Sequence, residues 1–449
     1  MFRNHQPRYL LLLMVLILSC SLPGGNNSIE DEMPAEEAAI AVVHPTQGTA
    51  PTRAPAPNAA ELLFPEDLTY LGAFRLPDTT GSSNWEYSGQ ALAYNPAGDP
   101  HSSDDGFQGS LFGVGHDHQM QVSEISIPAP VDSRNLEDLN TAETMQPFND
   151  ISKGHINENL SLPVVGLEVI GERLYFCYGQ HMQEFEASHG YSSLNLNKPQ
   201  TQGPWVLDGI SNYTSNDYLF SIPENWSAAY TPAATVATGR FREGVWSGYG
   251  PALYAMNAER IDSEPLIPLL LYGLQQPGDA VIETDDSMQM DGYMLADHWM
   301  GGAWLTTDNQ SALIFVGTKA MESSWYGFAN GIEWNYDCAD ADTPACPDVP
   351  EYPYDNRGYW ASAYQAQMIF YNPEDLAAVA QGELMPYMPQ PYAVFDLTEF
   401  LYDPQTDVLR YKVDLVADIA YDREHGLLYL VERLADDAKS VIHVWQLPQ

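Results

Sequence analysis

Residues Gly109–Pro128 read GSLFGVGHDHQMQVSEISIP. Ser110–Gly115 is a compact apolar run, Met120–Pro128 is a second strand-like run, and His116, Asp117 and His118 form a polar turn between them. The first half of this pattern returns elsewhere in the chain, always as two apolar runs joined by a turn. ALAYNP (Ala91–Pro96) precedes SLFGVG (Ser110–Gly115), and VVGLEV (Val164–Val169) precedes RLYFCYG (Arg173–Gly179). PALYAM (Pro251–Met256) is matched with LIPLLLYG (Leu266–Gly273), GAWLTT (Gly302–Thr307) with ALIFVG (Ala312–Gly317), and DIAYD (Asp418–Asp422) with LLYLVER (Leu427–Arg433).

Outer strands are expected at MQVSEISIP, MQEFEAS, QAQMIFYNP and VIHVWQLP. A second echo sets Trp85 ahead of Gly89 and Ala91, and Trp246 ahead of Gly250 and Ala252, with Trp299 opening a shortened copy. Only Glu374–Gln381 suggests a helical period. Short antiparallel units repeating with insertions predict an all-β chain, a single β-propeller of five blades. Tyr70–Leu76 and Val441–Leu447 are expected to share a blade and close the ring, which removes the exposed sheet edges.

The hairpin fixes a geometry. The start of its first strand and the end of its second lie at one end. The segments before each first run and after each second run therefore share one face of the propeller. That face would collect Trp85, Glu86, His116, Asp117, His118, Gln180, His181, Trp246, Asp297, His298, Trp299, Lys319, Glu432 and Arg433, a candidate ligand-binding surface. The short turns, such as Asp308-Asn309, would occupy the other face. Each tryptophan also has a plain reading as packing between blades.

His116, His118, His181 and His298 are candidate ligands for a divalent metal, with Asp117 or Asp297 orienting an imidazole. Alternatively, each histidine caps a loop or packs on an aromatic ring. Glu86, Asp117, Glu168 and Asp297 are candidate carboxylates for glycan hydrolysis, which needs one carboxyl held protonated and another ionised. Some propellers are glycoside hydrolases of this kind. With 61 acidic residues in the chain, however, carboxylates near any face are expected by chance. There is no Gly-x-Ser-x-Gly elbow, Walker A loop, dinucleotide fingerprint or His-Glu-x-x-His.

The formal net charge of -43 opposes a phosphate backbone, so nucleic acid is excluded as a partner. Cys338 and Cys346 flank a short acidic loop and are expected to form a local disulfide in an oxidising compartment, while Cys177 lies within an apolar run and reads as a buried thiol. Arg3 and Arg8 precede an apolar run, Tyr9–Leu18, that is too short to span a bilayer, so residues 1–19 read as a signal peptide.

Ile17-Leu18-Ser19-Cys20 resembles a bacterial lipobox. The resemblance implies cleavage before Cys20 and lipidation of its thiol, hence a lipid-anchored, extracytoplasmic protein of the cell envelope with the membrane as one partner. Residues 20–61 are rich in Pro, Ala, Gly, Asn and Glu and read as a disordered tether, leaving 62–449 as the propeller domain. The expected role is binding of a glycan or protein partner by the His- and Trp-bearing face. A glycan hydrolase and a metal-dependent enzyme are the alternatives.

Overall fold

A computed structural model describes residues 61–78, 81–99, 107–241, 246–335, 338, 346–410 and 412–448. The expected signal peptide, residues 1–19, and Cys20 lie outside them. Two strands come first, β1 (Glu61–Leu62) and β2 (Thr69–Arg75). The first blade is β3 (Leu92–Asn95), β4 (Ser110–Val114), β5 (Val122–Ser126) and β6 (Thr144–Asn149). The second is β7 (Val164–Ile170), β8 (Arg173–Gly179), β9 (His189–Ser193) and β10 (Gln202–Trp205). The third is β11 (Tyr218–Ser221), β12 (Val236–Gly239), β13 (Leu253–Met256) and β14 (Ile267–Leu270), with helix α1 (Glu224–Tyr230) between its first two strands.

The fourth blade is β15 (His298–Thr306), β16 (Gln310–Phe328), β17 (Arg357–Tyr371) and β18 (Ala393–Asp396). Helix α2 (Pro373–Ala380) precedes β18, capped by the Asn372 side chain accepting from the Glu374 amide at 3.0 Å. β1 adds to β16 in parallel through Glu61 and Leu62. The fifth blade is β19 (Val416–Asp422), β20 (Leu427–Asp436) and β21 (Lys439–Gln446), completed on its outer edge by β2. The innermost strands β3, β7, β11, β15 and β19 contact one another in a closed cycle. The fold is a five-bladed β-propeller, shut by pairing of the first long strand with the last, as expected from Tyr70–Leu76 and Val441–Leu447.

The second strand of each blade explains why the repeat is visible. It is covered on both faces by neighbouring blades, so it cannot alternate apolar with polar. β4 is buried at every position, as are the residues of β8 after Arg173. Two expectations fail for the same reason. PALYAM and LIPLLLYG pair with each other, but they are β13 and β14, the outer half of the third blade. The inner half is β11 and β12, whose VATG sequence is fully buried yet made of small residues. MQEFEAS is loop, and the third strand of the second blade is β9.

Blade contacts are mostly apolar, with Trp226 of α1 against Trp304 of β15 at 4.6 Å between ring centroids. One seam is polar. His189 Nε2 meets Thr238 Oγ1 at 2.8 Å between the second and third blades. Burial pushes this imidazole down to about 3, so it stays neutral in the fold.

Closure depends on a close approach. Gly72 in β2 has φ +120°, and a Cβ there would lie 2.3 Å from the carbonyl carbon of Val131, whose amide and carbonyl bond Ala73. Gly72→Ala should lower stability by roughly 2 kcal/mol or more. Thermal melting against Gly358→Ala, where a Cβ would meet only open space and a distant ring nitrogen at 3.8 Å, measures the effect. Equal melting of the two variants would contradict this view of the closing strand.

Candidate functional site

The segments leading into the inner strands and those leaving the second strands converge on one mouth of the ring, as the hairpin geometry predicts. Their side chains form a connected polar network around the axis. Arg433, just past the middle of β20, donates from Nη2 to Asp117 Oδ2 at 2.7 Å, and its Nη1 lies 3.6 Å from Asp414 Oδ2. Asp414, two residues before β19, is hydrogen-bonded to His298 Nδ1 at the start of β15. Asp117, in the turn after β4, also accepts from Gln90 Nε2 at 3.2 Å. Asp117, Arg433, Asp414 and His298 thus link the first, fifth and fourth blades. The carboxylates flank the guanidinium on two sides, which is what permits a side chain as buried as Arg433 to remain charged.

Beside this chain sits a second ion pair. Lys319 Nζ lies 2.7 Å from Asp297 Oδ1, and the same oxygen accepts the Ala320 amide at 3.0 Å. Asp297 is fully buried, and burial raises its carboxyl above the ordinary range against the pull of Lys319. Asp217, immediately before β11, is 2% exposed and held up to about 8 by burial, opposed by Arg240 and reinforced by the negative charge of Asp414. Its Oδ2 has no hydrogen-bond partner among the described residues, and neither does Gln90 Oε1. Asp418, inside β19, is raised well above its usual value by burial, while Oδ2 accepts the Leu92 amide at 2.8 Å.

Several expected residues sit elsewhere. Trp85 is packed on Phe148 at 4.8 Å between centroids, and Trp299 is fully buried, so both serve the blade cores and offer no platform to a ligand. Trp246 leads into β13, an outer strand, and leans on Tyr213 at 5.4 Å. Glu432 points away from the axis, with Oε2 2.9 Å from His443 Nε2. Glu86 is exposed beside Tyr87, whose ring lies 5.5 Å from that of His116. His116 and His118 do meet, ring on ring at 5.0 Å, but His116 Nδ1 accepts the His118 amide at 3.1 Å. His181 is exposed at the end of the second blade, its amide donating to Ser161.

Among the described residues no three His, Cys, Asp or Glu side chains are grouped as metal ligands. The candidate set of His116, His118, His181 and His298 is therefore not assembled. One imidazole nitrogen is occupied by its own turn, another faces Asp414, and the four come from three blades. Glu168 lies at the opposite mouth, where Ser221 donates to it at 2.9 Å from the backbone. The site residues missed in the sequence are Gln90, Asp217, Arg240 and Asp414. All four obey the placement rule, since they directly precede or follow strands of the inner pairs.

Cys338 and Cys346 form the expected disulfide, with Cα atoms 5.6 Å apart, and Cys177 is a buried free thiol. No family model and no curated protein matches the chain. Among solved structures it is similar to a GH43 endo-arabinanase from Bacillus licheniformis, at 9% identity over 82% of this chain and 95% of that one, with a TM-score of 0.33. That enzyme's activity is not carried to this chain.

The raised Asp217 carboxyl has a measurable consequence. In the unfolded chain it ionises near about 3.9, and in the fold only near about 8. Between those values the unfolded state gives up a proton that the folded state keeps, so folding is penalised progressively as pH rises. Asp217→Asn should therefore melt a few degrees above the parent at pH 8 and close to it at pH 4. A difference of the same size at both pH values would refute the assignment.

Proposed function

We propose that this chain is an extracytoplasmic binding propeller whose axial mouth takes a hydroxyl-rich ligand, a glycan or a glycosylated partner. The observation that carries it is the network of Asp117, Arg433, Asp414 and His298. It holds fixed acceptors and donors from three blades at one mouth. Such preset alternation suits a sugar, whose hydroxyls both donate and accept. Tyr87, His116 and His118 beside it offer ring faces for stacking. The N-terminal sequence supports delivery to the envelope with Cys20 as lipid anchor, and the Cys338–Cys346 disulfide fits an oxidising compartment.

A second reading, hydrolysis of the glycan, is favoured by one feature. Asp217 is held protonated by burial while Asp414, within range of its charge, faces Arg433 and His298. One neutral carboxyl near one stabilised carboxylate is the pairing acid and base chemistry requires.

A polysaccharide panel, read by calorimetry and by release of reducing ends, separates these readings. Binding should weaken roughly tenfold in Asp117→Asn and in His118→Ala, with melting unchanged within a few degrees. Product release that disappears in Asp217→Asn while binding persists would select the hydrolase. A panel with no binder at millimolar concentration would end the glycan proposal. For the anchor, labelled fatty acid should enter the parent and not Cys20→Ala.

A further inference from the structure

The mouth opposite the axial network holds a cavity of about 250 Å³ to which all five inner strands contribute. Its wall includes Tyr94 from β3, Glu168 from β7, Ser221 from β11, Trp304 from β15, and Tyr421 with the following Arg423 from the fifth blade. We infer that this cavity is a second binding site, selective for a single small sugar acid or similar hydroxylated carboxylate.

Arg423 carries the argument. Its guanidinium donates to two neutral oxygens, Thr306 Oγ1 at 2.8 Å and the Ser221 carbonyl at 3.1 Å, and lies over the Tyr421 ring at 5.3 Å. Among the described residues it meets no carboxylate within ion-pair distance, although the chain has 61 acidic residues and only 18 basic ones. A guanidinium locked in place by neutral acceptors keeps its remaining N–H groups for a planar oxyanion, which it can grip with two bonds.

Glu168 supplies the second contact. The Ser221 amide at 2.9 Å and the Ser221 hydroxyl both bond Oε1, which leaves Oε2 for a ligand hydroxyl. Tyr94 and Tyr421 provide half-buried rings for the carbon skeleton of a compact ligand. The volume suits one six-membered sugar ring.

The charges around Glu168 set a pH signature. Burial holds its carboxyl up to about 7, with the Ser221 bonds and Arg423 pulling it down. From β19 it faces Asp418, whose carboxyl burial pushes well above its usual range, and the cavity wall adds Tyr421 and Asp422. Tyr94 of β3 and Glu424 of the turn complete the titratable wall, and β15 contributes none. A carboxylate ligand beside Glu168 is favoured while Glu168 is protonated. Affinity should therefore be greatest below about pH 7 and fall as pH rises through that value.

The test is calorimetric titration of the full chain with D-glucuronate and with D-glucose. Glucuronate should bind saturably and at least about tenfold more tightly than glucose, and more tightly at pH 6 than at pH 8. Arg423→Gln should lose about tenfold or more, while Arg260→Gln, at an exposed cation paired with Glu264, should not change binding. Arg423→Lys keeps the charge without the fork and should fall between, which covers the case where Arg423→Gln melts early. Glu168→Gln should flatten the pH response of binding. Absence of saturable binding up to about 10 mM, equal affinity for the two sugars, or full affinity in a folded Arg423→Gln protein would each overturn the proposal.

Discussion

The pairing of β2 with β21 is the constraint on which the ring depends. It joins residues from opposite ends of the domain, and side chains reinforce it at both ends of the strand. Tyr70 Oη meets His443 Nδ1 at 2.9 Å, and Arg75 takes both oxygens of Asp436 at 2.9 and 3.0 Å. Without that pairing the fifth blade would have a bare outer edge of unpaired backbone groups. The cost would reach inward as well, because a blade that shifts uncovers the second strands of both neighbours. Those strands are apolar on both faces and have no tolerable exposed state. Closure and burial are therefore one condition expressed at the rim and in the core.

The same condition decided what could be read from the chain. A second strand squeezed between blades leaves a continuous apolar run, and SLFGV, RLYFCYG, SALIFV and LLYLV stand out for that reason. The third blade escaped because its second strand, VATG, fills its place with small residues and is served by the His189–Thr238 contact. The larger outer strands PALYAM and LIPLLLYG took its place in the reading and carried Trp246 with them. Asp217 was lost by the same slip, since it leads into β11. Asp414 was lost because DIAYD was taken to begin its strand, although backbone pairing begins at Val416. Strand order accounts for Trp246 and Asp217, whereas Trp85, Trp299 and Glu432 leave the face because their side chains turn into the blades.

Distance in sequence hid the rest. Nothing local marks Arg433 as the partner of Asp117, a residue on the far side of the chain order, or His298 as the partner of Asp414. These pairs exist because five strands start at one point and any polar residue ahead of them arrives at the axis. There the medium is poor at solvating charge. Each group is paired, as Arg433 and Lys319 are, or pushed toward its neutral form, as burial pushes Asp217 and Asp418. The crowd of polar groups at the mouth thus follows from topology, while the unusual protonation follows from depth.

The two mouths are separated by the same packing that builds them. Between them the inner strands close in, with Asp418 bonded to the Leu92 amide and approaching Gly301 so tightly that a Cβ there would lie 2.4 Å from Oδ1. These contacts tie neighbouring inner strands to one another around the axis. The ends also differ in sign. One presents carboxylates bridged by Arg433, and the other presents Arg423 without a carboxylate in ion-pair reach among the described residues. Coupling between them could pass only through rigid strands, which transmit displacement poorly when both faces are packed. Ligands of different charge at the two proposed sites would then each be recognised by the blade ends that surround them.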